Sequence, residues 1–97
     1  MSIAYLHIRK AVALAPDDPD IQDTLAWWHY LSQDYLQAIH ILKKVIKTQP
    51  EHPIYRYHLG MASLKNGESE QAKRHLRQAL NLGIDAEHWN HIMEHLP

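Results

Sequence analysis

The chain has 97 residues, which suits one small domain, and its 45% hydrophobic content can supply a core. Ten basic residues nearly balance eleven acidic ones, and no basic stripe marks a nucleic-acid-binding surface. The lack of cysteine excludes disulfides and thiolate metal sites, and no apolar run is long enough to span a membrane. The first residues lack the basic leader and apolar core of a signal peptide, which favours the cytoplasm.

The chain contains an internal repeat of 34 residues. Pro16 and Pro50 are separated by this distance, and so are Pro19 and Pro53. The same register extends through both ends of the chain, which predicts stacked structural repeats rather than one irregular fold. It aligns Leu25 with Leu59, Ala26 with Gly60, Ala38 with Ala72, Leu42 with Leu76, Ala4 with Ala38, Ile8 with Leu42, Ala11 with Val45, Trp89 with Tyr55 and Met93 with Leu59.

The apolar spacing within each unit is helical. Ile21, Leu25 and Trp28 step by four and three residues, which is one face of a 3.6-residue period. No segment alternates with a period of two, so no strand is predicted. The pattern predicts six helices in chain order, over about residues 2–15, 19–32, 35–48, 53–65, 69–82 and 85–95.

Residues at the predicted helix ends support these boundaries. Proline follows both Asp18 and His52, and proline suits a first helical position because its missing N–H is not needed there. Short polar side chains can accept hydrogen bonds from the free N–H groups that begin a helix. Glycine readily takes the left-handed conformation that ends one. The candidate caps are Asp34, Ser69 and Asp85, and the candidate terminating glycines are Gly67 and Gly83.

This pattern resembles the tetratricopeptide repeat. Leu25-Ala26 and Leu59-Gly60 stand where that family has a Leu-Gly pair. Ala38 and Ala72 match its alanine early in the second helix, and Leu42 and Leu76 match its phenylalanine position. Pro16 and Pro50 match its closing proline. The resemblance implies an all-α, right-handed solenoid of antiparallel helix pairs, cut from a larger protein of this type. The whole chain is then one domain, comprising the second helix of a truncated repeat (1–18), two repeats (19–52 and 53–86) and a capping helix (87–97).

The resemblance also implies a function, because first helices of such repeats line a concave face that binds a protein or peptide. No cofactor and no catalytic residues are expected, since the sequence has no phosphate-binding loop and no nucleophile set in a supporting context. Carried over by position, the first helices place a candidate partner-binding groove at Asp23, Trp27, Tyr30, Tyr57, His58, Met61, Leu64, Lys65 and His91, with Ile92 on the same face.

Trp27 is the main candidate anchor of this groove. Adjacent residues of a helix point about 100° apart, so Trp27 and Trp28 do not both face the core. Trp28 shares a stripe with Ile21 and Leu25 and is predicted to pack on the first helix, which directs Trp27 into the groove. Trp27, Tyr57 and Met61 are then expected to be close together and accessible. In the alternative reading, Trp27 is partly covered by the neighbouring helix.

Two other functions remain open at this point. The first helix lacks a predicted covering helix over Ala4, Ile8 and Ala11, so this face is a candidate for self-association into a homodimer. His88, His91 and His95 share one face of the last helix at a spacing that could serve a divalent metal or a pH sensor. Trp89 is expected in the core because it matches Tyr55 in the repeat register.

Overall fold

The computed structural model describes residues 3–96, and within that range the chain forms six helices and no strand. The all-α repeat fold is therefore confirmed, and each helix end except the start of the first helix lies within one residue of its prediction. The predicted start of the first helix at residue 2, and the terminal residues 1 and 97, lie outside the described residues. The helices are α1 (Ile3–Leu14), α2 (Pro19–Leu31), α3 (Tyr35–Thr48), α4 (Pro53–Lys65), α5 (Ser69–Asn81) and α6 (Ala86–His95).

Among the described residues, side-chain caps begin three of the helices. The carboxylate of Asp18 accepts hydrogen bonds from two backbone N–H groups of the first turn of α2, at 2.9 and 3.3 Å. Asp34 and Asp85 each accept one such bond at the start of α3 and α6. The prediction for Ser69 is wrong. Ser69 is the first residue of α5, and the capping position is occupied by Glu68, whose side chain makes no capping bond.

The turns after α4 and α5 use glycine in the left-handed region. Gly67 has φ of 82° and Gly83 has φ of 87°, as the sequence predicted. Gln33 takes the same conformation after α2, with φ of 66°, at the position that matches Gly67 in the 34-residue register. The backbone shape of this turn is therefore common to both repeats even where glycine is absent.

The helices pack mainly on their neighbours in sequence. α2 lies against α3, α4 against α5, and α3 bridges the two pairs through its contact with α4. Small residues allow the close approach. A Cβ atom built on Gly60 would lie 2.6 Å from Cδ2 of Leu76, and Leu76 is itself buried. Ala38 and Ala72 are completely buried at the matching points of the second helices. The short side chains therefore set the distance between paired helices.

Two buried clusters form the core. The first joins α2, α3 and α4 around Leu42 and Leu59, and α1 packs on its edge through Ile8 and Val12. The second joins α4, α5 and α6, and it includes Ile92 of α6. The connection between α5 and α6 is fixed by Ile84, which is buried in this second cluster and replaces the closing proline of the earlier repeats.

α6 does not repeat the packing of α4, which corrects the expectation for Trp89. Trp89 is 45% exposed, whereas Tyr55 at the matching position of α4 is buried. α6 is held instead through Ile84 and Ile92, so the face that carries Trp89 and Met93 turns to solvent. The repeat register thus predicts that α6 exists but not which of its faces is buried.

The half-buried His75 of α5 should make stability depend on pH. Burial lowers its pKa, and the positive charges of Arg56, Arg74 and Lys43 lower it further; the guanidinium of Arg56 lies 3.4 Å from Nδ1. The unfolded chain therefore takes up a proton near the ordinary value of 6.5 while the folded chain does not. We expect the free energy of unfolding to fall as the pH drops below that value.

Urea unfolding at pH 7 and pH 5 measures this effect in His75→Gln and in the wild type. The loss of stability between the two pH values should be smaller in His75→Gln. The exposed His40 supplies the control, since His40→Gln should leave the loss unchanged. Equal pH dependence in the wild type and His75→Gln contradicts the assignment.

Candidate partner-binding site

Trp27 lies at the centre of the predicted concave face, between two other rings. Its indole stacks on Tyr30 of α2 at 4.2 Å between centroids and on His58 of α4 at 4.1 Å. The side chain is half-buried, so the partly covered reading describes it best. Trp27 therefore connects α2 and α4, and only one part of its surface is free for a partner.

Two polar contacts join the same helices. Nδ1 of His58 donates a hydrogen bond to the Asp23 carboxylate at 2.7 Å, and both side chains are largely buried. The hydroxyl of Tyr55 donates to the Asp20 carboxylate. The pKa of Tyr55 is raised, first by burial and then by this hydrogen bond. Together with the stacked rings, these contacts fill the space between α2 and α4.

The expectation that Tyr57 and Met61 are accessible is wrong. Tyr57 is 5% exposed and Met61 is 2% exposed, because both belong to the cluster that α6 completes. The rings of His88 and His91 of α6 contact the Tyr57 ring in a T-shaped geometry. The rest of the predicted groove is scattered, with Ile92 fully buried, Leu64 half-buried, and Lys65 and His91 exposed.

The open part of this face lies between α1 and α2, where two neighbouring clefts share Ile8 and Thr24. One, of about 250 Å³, runs past the indoles of α2, and the other, of about 290 Å³, continues along α1. Their walls are mostly apolar, and Leu31 at one end is 68% exposed. We call this surface the α1–α2 groove; it is lined by His7, Ile8, Ala11, Ile21, Asp23, Thr24, Trp27, Trp28, Leu31 and His58.

The α1–α2 groove unites residues from two separate predictions. Asp23, Trp27 and His58 come from the predicted concave face, whereas Ile8 and Ala11 come from the predicted self-association face. Ala4, one turn before Ile8, is exposed at its end. Trp28 was predicted to make a core contact with α1, and its ring does meet Tyr5 at 4.3 Å between centroids. Its second role, as a wall of the groove, was not predicted, because the helical stripe that contains Trp28 was assigned only to the core.

A family model described as "Anaphase-promoting complex, cyclosome, subunit 3" matches residues 1–79. The chain belongs to this family. The subunit 3 family consists of tetratricopeptide-like repeats, which agrees with the resemblance found in the sequence and with the helix pairs of the structure. The matched region contains α1 to α4 and nearly all of α5, and therefore the whole α1–α2 groove. No curated protein matches the chain.

Membership in the subunit 3 family sets the general class of activity. Repeats of this type are protein–protein interaction modules and are generally not enzymes. Over residues 3–96, no helix is long and apolar enough to cross a membrane. The family match therefore indicates protein partners in general.

The three histidines of α6 do not form a metal site. Nδ1 of His88 donates to the Asp85 carboxylate at 2.6 Å, and Nδ1 of His95 donates to the carbonyl oxygen of His91 at 2.9 Å. Across the described residues, no group of three or more potential ligands could hold an ion. The arrangement instead caps α6, and the pKa of Asp85 is lowered by the bonds it accepts from His88.

Proposed function

We propose that this chain, acting as a single domain, binds a protein or peptide in the α1–α2 groove. The observation that supports the proposal is the pair of adjoining, mostly apolar clefts that share Ile8 and Thr24. The predicted site between α2 and α4 offers no comparable space, because the Trp27 stack and the Asp23–His58 pair occupy it. The binding site is therefore displaced toward the N-terminal end of the concave face.

The groove has the chemistry of an interaction hot spot. Trp27 and Trp28 offer large rings that are only half-buried, and aromatic side chains contribute much of the binding energy in protein interfaces. Leu31 continues the apolar surface into solvent. A partner that covered these side chains would remove contiguous apolar area from water at little conformational cost, since both rings are already held by neighbours.

Leu31→Glu should abolish most partner binding. A carboxylate at this point must be buried without a counter-ion when the partner docks, which weakens binding by about tenfold or more. Leu36→Glu is a matched control, because Leu36 is also 68% exposed but lies on α3 beside a different cleft. Both substitutions change the charge equally, so a purely electrostatic effect would appear in both.

The measurement is affinity capture with quantitative identification of the bound proteins, for the wild type and the two variants. The proposal expects proteins that are retained by the wild type and Leu36→Glu but lost by Leu31→Glu. Equal retention by all three chains, or selective loss with Leu36→Glu, contradicts it. Circular dichroism confirms that both variants remain helical.

Self-association is a second candidate function, favoured by exposed apolar residues on α1. Ile3 is 73% exposed and Leu14 is 87% exposed, and both belong to α1, the helix that also carries Ala4, Ile8 and Ala11. Light scattering over a wide concentration range tests it. Ala4→Glu is a better variant than Ile8→Glu, since Ile8 also packs on the core and its loss would affect folding. A mass that stays monomeric at high concentration would eliminate this function.

A further inference from the structure

Resting on the proposed function, we infer that the occupant of the α1–α2 groove is an amphipathic helix of a partner chain. It carries a leucine followed by alanine or glycine at the crossing with α1. It also carries a carboxylate three residues before that leucine, facing Lys10. Three observations support this chemistry of the partner helix: the repeat register, the difference between the two ends of the stack, and the charges along α1.

The repeat register shows what covers this kind of surface. Ala38 of α3 and Ala72 of α5 are completely buried, where α2 and α4 pack closely on them. Ala4 of α1 stands at the matching position and is exposed. The helices that do the covering have Leu25-Ala26 and Leu59-Gly60 at their centres. A helix with the same pair can therefore approach α1 closely over Ala4 and Ile8.

The other end of the stack cannot receive or supply such a helix. Glu94 of α6 occupies the position of Ala26 and Gly60 in the register. At Gly60 even a Cβ atom would lie 2.6 Å from Leu76, so a glutamate in that place prevents close helix packing. α6 of a second copy is thus a poor occupant of the groove, and α6 itself ends the close-packed series.

The charge of α1 favours a carboxylate-bearing partner over a second copy of α1. α1 contains Arg9 and Lys10 and no acidic residue. Lys10 lies three residues after His7, on the same side of the helix, and His7 lines the groove. On α2, the carboxylates of Asp20 and Asp23 already accept bonds from Tyr55 and His58. Two copies of α1 would bring like charges together, whereas an acidic helix complements them.

The position of the carboxylate on the incoming helix follows from the equivalent helix pair, in which α2 already packs on α3. Gln22 of α2 and Lys44 of α3 line one cleft together, and Lys44 matches Lys10 in the register. Gln22 precedes Leu25 by three residues. The residue of an incoming helix at that place therefore faces Lys10. Two positions of α2 in the groove differ from the matching positions of α4. Ile21 and Thr24 stand where α4 has Tyr55 and His58, the residues that bond to acids of α2. The incoming helix consequently needs no acids opposite them.

A synthetic peptide tests the inference. It has the sequence of residues 19–31 with Asp20→Ala, Gln22→Glu and Asp23→Ala, and it is titrated into the isotope-labelled full chain while amide chemical shifts are followed. A second peptide differs only in carrying Gln22→Lys. Peptides of this length are only partly helical in water, so weak binding is expected and millimolar concentrations are used. The shifts should be confined to α1, α2 and the surroundings of His58, the residue of α4 that lines the groove.

The charge preference is read from four dissociation constants. The wild type should bind the Gln22→Glu peptide about two- to fivefold more tightly than the Gln22→Lys peptide, as expected for an exposed ion pair. Lys10→Glu in the protein should reverse the order, and Leu31→Glu should weaken both peptides. Shifts away from α1, α2 and the surroundings of His58, absence of binding, no reversal, or a homodimer that excludes the peptide overturns the inference. If the peptide experiment fails but the capture of cellular proteins still depends on Leu31, the proposed function remains and only the inference about the helix is lost.

Discussion

Leu59→Ala should lower the free energy of unfolding by about 2–5 kcal/mol. Leu59 is fully buried in the cluster that joins α2, α3 and α4, so the substitution removes apolar contacts and leaves a cavity among three helices. In a chain of 97 residues this is a large share of the total stability. Urea unfolding followed by circular dichroism measures the change.

Leu36→Ala is the control for this prediction. Leu36 is 68% exposed on α3, so its truncation should change stability by no more than about 0.5 kcal/mol. Similar losses for Leu59→Ala and Leu36→Ala would show that the helices do not pack as described. A large loss for Leu59→Ala alone supports the position of the first cluster.

Ala38→Leu and Ala72→Leu should each lower the free energy of unfolding by about 1–3 kcal/mol. Both alanines are completely buried where the paired helices approach each other, so a larger side chain must separate the pair. Ala4→Leu makes the same chemical change at the matching position of α1, where the side chain is exposed. The predicted change in the free energy of unfolding for Ala4→Leu is close to zero.

This comparison separates intrinsic helix propensity from packing. All three substitutions replace alanine by leucine inside a helix, and the small propensity difference is common to them. Thermal unfolding of the three variants should therefore give two clearly lowered midpoints and one near that of the wild type. If Ala4→Leu were as destabilising as Ala38→Leu, α1 would be covered and the groove would not be open.

Helix positions were predictable because the signals for them are local and occur twice. The prolines that begin α2 and α4 are 34 residues apart, and each pair of small residues recurs at the same spacing. α6 is different. Its burial depends on Ile84 and Ile92, which depart from the register, so Tyr57 and Met61 were expected in solvent and are covered. Trp89 was expected in the core and is exposed for the same reason.

The contacts between α2 and α4 were not predicted, although the sequence carries a sign of them. Asp20 pairs with Tyr55 and Asp23 with His58, and both spacings are 35 residues, one more than the repeat. A search for polar pairs at that offset would have found them. The sequence spacing does not show how far each side chain is buried. Only the assembled helices show that these pairs close the middle of the concave face and leave the α1–α2 groove open.

Site-specific photocrosslinking tests most directly that the α1–α2 groove is the partner-binding surface. A photoreactive amino acid replaces Thr24, which lines both clefts, or in a second chain His40, which is exposed on α3. After illumination in cell extract, the account predicts a defined crosslinked protein from position 24 that disappears with Leu31→Glu, and none from position 40. Equal crosslinking from both positions, or products from position 40 alone, would contradict it.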